Sequence, residues 1–391
     1  MDALLPLEDA IAAVLAEVRP LGAERVALAD ALGRVLAEPA LSATDLPPFP
    51  SSSMDGFALR AADTPGVLAV VGHSAAGVPW TGELGAGQAV GIATGAVVPA
   101  VADAVIPIER VVVKDNSVEV EACERGANIR LPGGDVERGA VVLPAGSELG
   151  AAQLAALAAA GVPAVACARR PRVRVLVTGT ELRAAGEELR PGEIYESNGT
   201  LIRAALSGEA DVELLAPVRD DEAAHTEALA RALEADVALT SGGVSVGPHD
   251  LVRAVAAGLG VTERFWRVAV KPGKPVLFGT RGHTLLFGLP GNPVSVLVGL
   301  ELFVRPALRA LQGTADPGPR FEPARLARPA RLDPARTVFL RARLEDGVVD
   351  PLSGQESHMI VRAAAANALV HLPRGEGELA AGEPVRIIRL R

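Results

Sequence analysis

The chain has 391 residues, a net charge of −9 at pH 7, 49% hydrophobic residues and only 3% aromatic residues. A chain of this length is expected to fold into about two to four domains. The negative charge argues against a general nucleic-acid-binding protein, which needs a basic surface to neutralise phosphates. The two cysteines, Cys123 and Cys167, lack CxxC spacing, which argues against a disulfide scaffold and a structural zinc site.

The N-terminal segment MDALLPLEDAIAAVL is acidic and has no basic region before its apolar residues. No signal peptide is therefore predicted. No uninterrupted apolar stretch reaches the roughly 18 residues of a membrane-spanning helix. We expect a soluble protein of the cytoplasm.

Helical and strand-like patterns at both sides of an insertion predict a helical linking region, formed by residues 1–44 and 138–169. Residues 7–18 and 149–160 have apolar side chains at helical spacing, and residues 26–37 are predicted to be a strand followed by a helix. Between these parts, residues 45–137 contain short β-type runs separated by glycine and proline clusters, which is typical of a small β-rich domain.

From residue 170 to residue 312, strand-like runs alternate with helix-like runs, which predicts a parallel α/β sheet. Ligands of such sheets bind at the carboxyl ends of the strands. Three polar segments follow strands in this way: residues 178–181, the pair Asp220-Asp221, and residues 241–250. We therefore expect one binding site where these segments meet.

The central segment contains the turn Ser241-Gly242-Gly243-Val244-Ser245 between a strand and a helix. Paired glycines let the backbone approach a ligand closely, and a turn of this kind directs N–H groups toward an anion. Asp250 follows the turn. It is either the N-cap of the next helix or a ligand for a metal ion, and the residues alone leave both interpretations open.

Three further features complete the chain. Ser197 or Asn198 is predicted to cap a helix over residues 199–206, and Asn292 to cap a helix that runs to residue 312. Lys271 and Lys274 lie three apart across a Pro-Gly turn, where they either bind one anion or belong to a solvated loop. Residues 317–391 alternate apolar and polar side chains, which predicts a separate small β-domain resembling a barrel.

Seven short motifs can be considered together: SSMDGFA at residues 52–58, ATGA at 93–96, TGTEL at 178–182, IYESN at 194–198, SGGVSVG at 241–247, KPGKP at 271–275 and GLPGNP at 288–293. In this order they resemble the molybdopterin molybdenumtransferase family, which includes the E domain of gephyrin. The resemblance covers nearly the whole chain. It implies that residues 170–312 form a molybdopterin-binding domain.

The resemblance also implies an activity. Adenylylated molybdopterin is bound, its phosphoanhydride is cleaved with release of AMP, and molybdate is inserted into the dithiolene. Cleavage of this kind needs a divalent cation and a positioned water, organised by carboxylates. The carboxylates assigned to these tasks are Asp250 and Glu181, with Asp220 and Asp221 as further magnesium ligands and Asp55 and Asp135 contributed by the β-rich domain.

The remaining site residues follow from the same resemblance. The molybdate cluster comprises Lys271, Lys274, Pro275, Ser295, Arg341 and Ser357. The predicted binding residues for the pterin substrate are Thr94, Thr178, Gly179, Thr180, Ser197, Asn198, Ser241, Gly242, Gly243, Val244 and Ser245. The family's dimer implies a homodimer with shared active sites, and molybdopterin adenylyltransferase is a possible partner. The sequence departs from the family pattern at Thr180, at Arg267 and at Pro248-His249.

Two alternatives belong to other functional classes. A binding protein that holds molybdopterin without turning it over would keep the glycine-rich turn and could lose the carboxylates and lysines, most of which are present here. A scaffold resembling gephyrin would need further partner-binding domains. A P-loop nucleotide hydrolase is excluded because the sequence has no GxxxxGK[ST] motif.

Overall fold

The computed structural model describes residues 4–218, 221–244 and 251–390. Asp220, Ser245, Pro248-His249 and Asp250 therefore lie outside the described residues. No helix in the described ranges is long and apolar enough to cross a membrane.

The linking region joins the two ends of an insertion. It contains the helices Leu7–Glu17 and Ala151–Ala159, and the strand Ala23–Ala27 pairs antiparallel with Ala164–Ala168. A second pairing joins Ala40–Leu41 to Val141–Leu143. Residues on either side of the β-rich segment are thus hydrogen-bonded to each other, so that segment is inserted between two halves of one unit.

The predicted helix within residues 26–37 is wrong. The chain forms only the 3-10 turn Leu28–Asp30 there. Afterwards its backbone bonds to distant segments: Gly33 N–H donates to the Leu149 carbonyl at 2.8 Å, and Leu36 N–H to the Ser147 carbonyl at 2.9 Å. Gly33 has a φ of +73°, which is incompatible with helix continuation. Tertiary hydrogen bonds overrode the local helical pattern.

The β-rich segment folds around a sheet that has six strands in the described part of the chain, in the spatial order Ala104–Pro107, Gly56–Leu59, Gln88–Ile92, Gly66–Ser74, Ser117–Val120 and Val111–Lys114. The short strands Ser51–Ser52 and Ile129–Arg130 pair beside it, and the 3-10 turns Ala61–Asp63 and Ile108–Arg110 connect strands. Phe57, Leu59 and Ile106 are buried in its core.

The central sheet is mixed rather than wholly parallel. Its order is Asp211–Leu214, Arg172–Val177, Val237–Ser241, Thr284–Leu289, Leu277–Arg281 and Thr262–Trp266. The first four strands are parallel to one another. Leu277–Arg281 pairs antiparallel with the fourth strand, and Thr262–Trp266 pairs antiparallel with Leu277–Arg281. Both faces are covered: Leu239 and Phe287 pack into one core, and Ala238 and Leu286 into another. Burial on both faces is typical of parallel strands.

The helices of this part are Asn198–Ala205, Glu222–Ala232, Val252–Gly258, Pro293–Gly299 and Arg305–Leu311. The last two were predicted as one continuous helix to residue 312. A π-helical segment, Leu300–Val304, interrupts it. Pro306 follows this segment, and its missing N–H removes a helical hydrogen bond. The short parallel strands Leu182–Arg183 and Ile194–Tyr195 precede the first helix.

The C-terminal part is a small closed barrel. Strands Thr337–Glu345, Val348–Pro351, Glu322–Leu326, Pro384–Arg389 and Ala368–Leu372 are neighbours in that order, and the last pairs back with the first. Val270–Lys271 extends it from the central part, the pair Ala330–Arg331 and Glu378–Leu379 flanks it, and Ile360–Ala363 is helical. The predicted fold class is confirmed, while the exact domain boundaries stay predictions.

Candidate active site

A cavity of about 620 Å³ lies at the carboxyl ends of the parallel strands. It is bounded by the segment after strand Arg172–Val177, the turn after Val237–Ser241 and the turn after Thr284–Leu289. The sequence predicted a site at this edge of the sheet. The predicted residues in its wall are Thr178, Gly179, Glu181, Ser197, Asn198, Ser241, Gly242, Gly243, Val244 and Pro275.

The glycine-rich turn is held close to the neighbouring strand end. Gly242 has a φ of +95°, and a Cβ placed on it would lie 2.8 Å from both the carbonyl oxygen and Oγ1 of Thr178. Only glycine fits this conformation and this spacing. Among the described residues, the N–H groups of Gly243 and Val244 donate to no acceptor. Within the described part of the chain, the turn therefore leaves two N–H donors available at the cavity, as an anion site requires.

Asn198 connects three segments of the wall. Its Nδ2 donates to Ser241 Oγ at 2.9 Å and to the Gly291 carbonyl at 2.7 Å, so both amide hydrogens are used. Its Oδ1 is buried and accepts no hydrogen bond from any described residue. An unpaired buried acceptor costs about 1–3 kcal/mol. A ligand that donates a hydrogen bond here offsets that cost.

The sequence predicted Ser197 or Asn198 as the cap of the helix Asn198–Ala205, but Glu196 caps it instead. Ser197 occupies the N-cap position without a side-chain hydrogen bond, whereas Glu196 Oε1 accepts from Gly199 N–H at 2.7 Å. Asn198 is not available because its amide is committed to the wall. Glu196 also lines the cavity together with Tyr195. Both belong to the IYESN motif, which is the signal that could have assigned them.

Glu181 supplies a carboxylate at the cavity. Its oxygens lie over the backbone of Gly179, where a Cβ would come within 2.6 Å of Oε2. The side chain is exposed and forms no ion pair with any described residue. Asp221 is used differently: its Oδ1 accepts from Ala224 N–H at 2.9 Å and caps the helix Glu222–Ala232. Within the described ranges, no three acidic, histidine or cysteine side chains converge as a metal site.

The C-terminal barrel contributes to the wall through residues 354–360. His358 and Ile360 line the cavity, and Asn292 Nδ2 donates to Ser357 Oγ at 2.8 Å. Asn292 was predicted to cap a helix with its side chain, but the structure uses that amide to hold this segment. His358 and Ile360 were not predicted. Their position next to Ser357 was the available signal.

Arg341 holds the same segment in place through hydrogen bonds to its backbone. Its side chain is 1% exposed, and its guanidinium donates to the carbonyl oxygens of Met359 at 2.6 Å and Glu356 at 3.2 Å. Burial lowers the pKa of Arg341. The guanidinium thus positions the loop that carries Ser357, and direct contact of Arg341 with an oxyanion stays a prediction.

The KPGKP segment lies beside the cavity. Pro275 is in its wall, while Lys271 and Lys274 are exposed and form no ion pair with described residues. The Lys274 carbonyl accepts from Val268 N–H at 3.0 Å, which anchors the turn. Ser295 is buried in the helix that begins at Pro293. Both lysines thus belong to a turn whose last residue, Pro275, is in the wall of the cavity.

One departure from the family pattern has a structural role. Arg267 stacks on the Trp266 ring at 3.9 Å, and Trp266 Nε1 donates to the Val244 carbonyl at 2.9 Å. The stack therefore supports the glycine-rich turn from outside. Thr180, the second departure, does not line the cavity, and Pro248-His249 lies outside the described residues.

The predicted residues of the β-rich part do not reach this cavity within one chain. Asp55 and Thr94 are brought together, because Asp55 Oδ1 accepts from Thr94 N–H at 2.7 Å. Asp135 lies in a separate exposed turn, where its N–H donates to the Leu46 carbonyl at 2.9 Å. All three side chains are exposed.

Family models cover the chain in three parts. Residues 5–161 match the MoeA N-terminal region (domain I and II), residues 174–310 match a probable molybdopterin binding domain, and residues 323–390 match the MoeA C-terminal region (domain IV). The cavity lies mainly within the second match, and His358 and Ile360 come from the third.

Whole-chain relatives agree with these matches. A molybdopterin molybdenumtransferase of Haemophilus influenzae is 35% identical over 98% of both chains, and one of Nostoc sp. is 36% identical over 94% of this chain and 88% of its own. A molybdopterin biosynthesis MoeA protein from Pyrococcus horikoshii has a structure with a TM-score of 0.87 at 30% identity, covering 98% of this chain and 99% of that one. The chain belongs to the molybdopterin molybdenumtransferase family.

Proposed function

We propose that this protein is an enzyme of molybdenum cofactor biosynthesis that inserts molybdate into adenylylated molybdopterin and releases AMP. The observation that carries this proposal is the cavity at the carboxyl ends of the parallel strands, where five of the seven motifs shared with the family converge on one space or its rim. Its free backbone donors suit a phosphate, and its uncommitted acid and lysines suit the chemistry that follows.

The substrate binds along the glycine-rich turn. The N–H groups of Gly243 and Val244 donate hydrogen bonds to phosphate oxygens, and Ser245, the next residue in the sequence, is a further proposed binding residue. The unpaired Oδ1 of Asn198 accepts from an N–H group of the substrate. A pterin ring carries such donors, so this contact orients the substrate as well as binding it.

Magnesium fits the acidic edge of the cavity. Mg²⁺ is commonly held by one or two carboxylates together with substrate phosphates, and the Glu181 carboxylate in the wall forms no ion pair with a described residue. Asp250, Asp220 and Asp221 are the further proposed ligands, although Asp221 also caps a helix. The ion would neutralise phosphate charge during cleavage of the phosphoanhydride. Glu181 would hold it next to the glycine-rich turn.

Molybdate is bound at the rim. Lys271 and Lys274 supply positive charge to the dianion, and Ser357, held by Asn292, supplies a hydroxyl. The Pro275 backbone and Ser295 complete the proposed cluster. Arg341 fixes the loop that carries Ser357, so its removal would disorganise the cluster even without direct contact.

The protein acts as a homodimer in the cytoplasm, with each active site shared between subunits. Asp55, Thr94 and Asp135 lie outside the cavity of their own chain, and a partner subunit would place them over it. Molybdopterin adenylyltransferase is the proposed source of the substrate and a proposed partner.

Mixing two inactive variants tests the shared site. Asp55→Asn and Glu181→Gln would each abolish turnover, and hybrid dimers formed by unfolding and refolding the mixture would regain one intact site. Turnover that stays at zero in proven hybrids, or a fully active monomer in sedimentation, would contradict the shared site.

Release of AMP decides between the enzyme and a protein that only holds molybdopterin. The purified protein is incubated with adenylylated molybdopterin, molybdate and magnesium, and AMP is followed with each component omitted in turn. The enzyme releases AMP only in the complete mixture. A protein that binds the substrate without releasing AMP would be a carrier or scaffold instead.

A further inference from the structure

A second cavity of about 500 Å³ lies on another side of the molecule, where the linking region, the helix Arg305–Leu311 and the C-terminal barrel meet. Gly33 lines it from the linking region, and Ile388 from the last barrel strand. Its wall also contains five arginines and four glutamates. None of the seven family motifs reaches it, so the proposed function assigns nothing to this space.

The glutamates are all committed to three of the arginines. Arg320 pairs with Glu148, and Arg389 pairs with Glu322 at 2.9 Å. The third arginine, Arg305, lies 3.4 Å from Glu209 and 3.5 Å from Glu301. The acids of the wall are therefore neutralised by these pairs.

Two guanidinium groups, those of Arg170 and Arg309, form no ion pair in the described part of the chain. They also form no side-chain hydrogen bond with any described residue, and the Nε atom of each is buried without a partner. Burial, together with the nearby charge of Arg320, lowers the pKa of Arg309 to about 10, although Glu209, Glu148 and Glu301 oppose this shift. Arg309 therefore still carries its charge at neutral pH.

Leaving such charges unpaired is costly. Both side chains are half-buried, and the buried N–H donor at each Nε loses its hydration without gaining an acceptor. A guanidinium also presents a planar fork of donors that matches an oxyanion in two-point geometry. The wall is thus short of one negatively charged, oxygen-rich group.

We infer that this cavity is a binding site for a small tetrahedral oxyanion of the phosphate class, held between Arg170 and Arg309. The anion pairs with both groups and joins the segment before strand Arg172–Val177 to the helix Arg305–Leu311. The volume of the cavity admits phosphate with several waters and lies within the range of small-ligand sites. The site is separate from the active-site cavity and depends on neither its lysines nor its glycine-rich turn.

Thermal unfolding in a chloride buffer of constant ionic strength tests the site, with inorganic phosphate as the probe. The wild-type protein should gain Tm with phosphate in a saturable manner, as expected for a ligand that binds only the folded state. Arg309→Met and Arg170→Gln should each weaken the apparent phosphate affinity by about tenfold or more, which corresponds to one charge-assisted hydrogen bond. Without phosphate, Arg309→Met should be at least as stable as the wild type, because it removes a half-buried charge and the buried Nε donor that has no acceptor.

Two matched controls separate this site from other effects. Arg343→Gln removes an exposed arginine paired with Glu345 and should leave the phosphate response unchanged. Lys274→Ala should also leave it unchanged, whether or not that variant loses molybdate use. Parallel titrations with sulfate and molybdate show which tetrahedral oxyanion is preferred.

The inference is overturned by three results. They are a wild-type protein with no saturable response to phosphate, a response retained in full by both Arg309→Met and Arg170→Gln, and a response lost in Lys274→Ala. If Arg309→Met fails to fold, Arg170→Gln alone decides. None of these three results depends on release of AMP, so they test the binding site separately from the proposed function.

Discussion

The two ends of the central sheet differ in whether their charged and polar side chains are paired with other groups of the described chain. At the amino ends of the strands, Arg169 makes two bonds of 2.7 Å to the carboxylate of Asp236, which also accepts from Arg172 N–H at 2.8 Å. At the carboxyl ends, neither Glu181 nor Lys274 forms an ion pair with a described residue, and Asn198 Oδ1 accepts no hydrogen bond from that part of the chain.

This difference distinguishes groups that hold the fold from groups kept for a ligand. Burial alone would raise the pKa of the Asp236 carboxyl, but hydrogen bonds from the Arg169 side chain and the Arg172 backbone hold it below its usual range. The protein itself satisfies this carboxylate. At the other end the missing partners are supplied by substrate, metal ion and molybdate in the proposed function.

The largest effect is expected from Gly242→Ala. The new methyl group would meet the Thr178 carbonyl and hydroxyl at 2.8 Å, in a backbone conformation of positive φ. We expect a loss of about 3 kcal/mol in the free energy of unfolding, together with loss of substrate binding. Denaturant unfolding and equilibrium binding measure the two effects.

Gly186→Ala is the matched control, because Gly186 has a similar φ of +96° and nothing within 4 Å of its added Cβ. It should lose only about 1–2 kcal/mol, from the backbone conformation alone, and bind substrate normally. Equal losses in both variants would mean that close approach of the turn to Thr178 has no energetic role.

A smaller loss of stability is expected from Asp236→Asn. The change removes the charge that Arg169 and Arg172 share, but Arg169 is partly exposed. We expect about 2 kcal/mol, below the usual value for a fully buried pair. Because the pKa of Asp236 is lower in the folded than in the unfolded protein, its contribution is present above about pH 4, the unfolded value, and is lost as the pH falls further.

The wild-type protein should therefore lose stability more steeply than Asp236→Asn as the pH falls below about 4. Urea unfolding at a series of pH values measures this difference. Parallel pH curves for the two proteins would show that the carboxylate at the amino ends of the strands does not stabilise the fold by its charge.

The smallest effect on stability is expected from Lys274→Ala. Its side chain is exposed and unpaired among the described residues, so the free energy of unfolding should change by less than about 0.5 kcal/mol. AMP release should need a higher molybdate concentration while pterin affinity stays unchanged. Lys114→Ala, which removes an exposed lysine paired with Glu119, serves as the control. Equal loss of molybdate use and pterin affinity in Lys274→Ala would place the lysine on the substrate phosphate instead.

The sequence predicted those features of the fold that depend on the order of strands and helices along the chain. Strands that alternate with helices gave the parallel part of the sheet, and polar residues after these strands gave the edge where the cavity lies. The antiparallel pairing of Thr262–Trp266 and Leu277–Arg281 was not predicted, because it depends on where a strand is added in space.

The sequence also could not predict which hydrogen-bond partners some side chains use. Asn292 and Ser197 both stand at helix starts, yet Asn292 bonds to Ser357, 65 residues away, and Glu196 replaces Ser197 as the cap. Each choice follows from a competing partner that only the tertiary structure brings near. For the same reason His358 was missed, since it enters the cavity from another part of the chain.

The contrast between the two ends of the sheet is tested most directly by a crossed measurement on Glu181→Gln and Asp236→Asn. For each variant, the free energy of unfolding and the rate of AMP release are measured at a temperature where both are folded. We expect Glu181→Gln to keep wild-type stability and lose AMP release, and Asp236→Asn to lose stability and keep AMP release. AMP release at the wild-type rate by Glu181→Gln, or its loss in folded Asp236→Asn, would contradict the division of the sheet into a structural and a functional end.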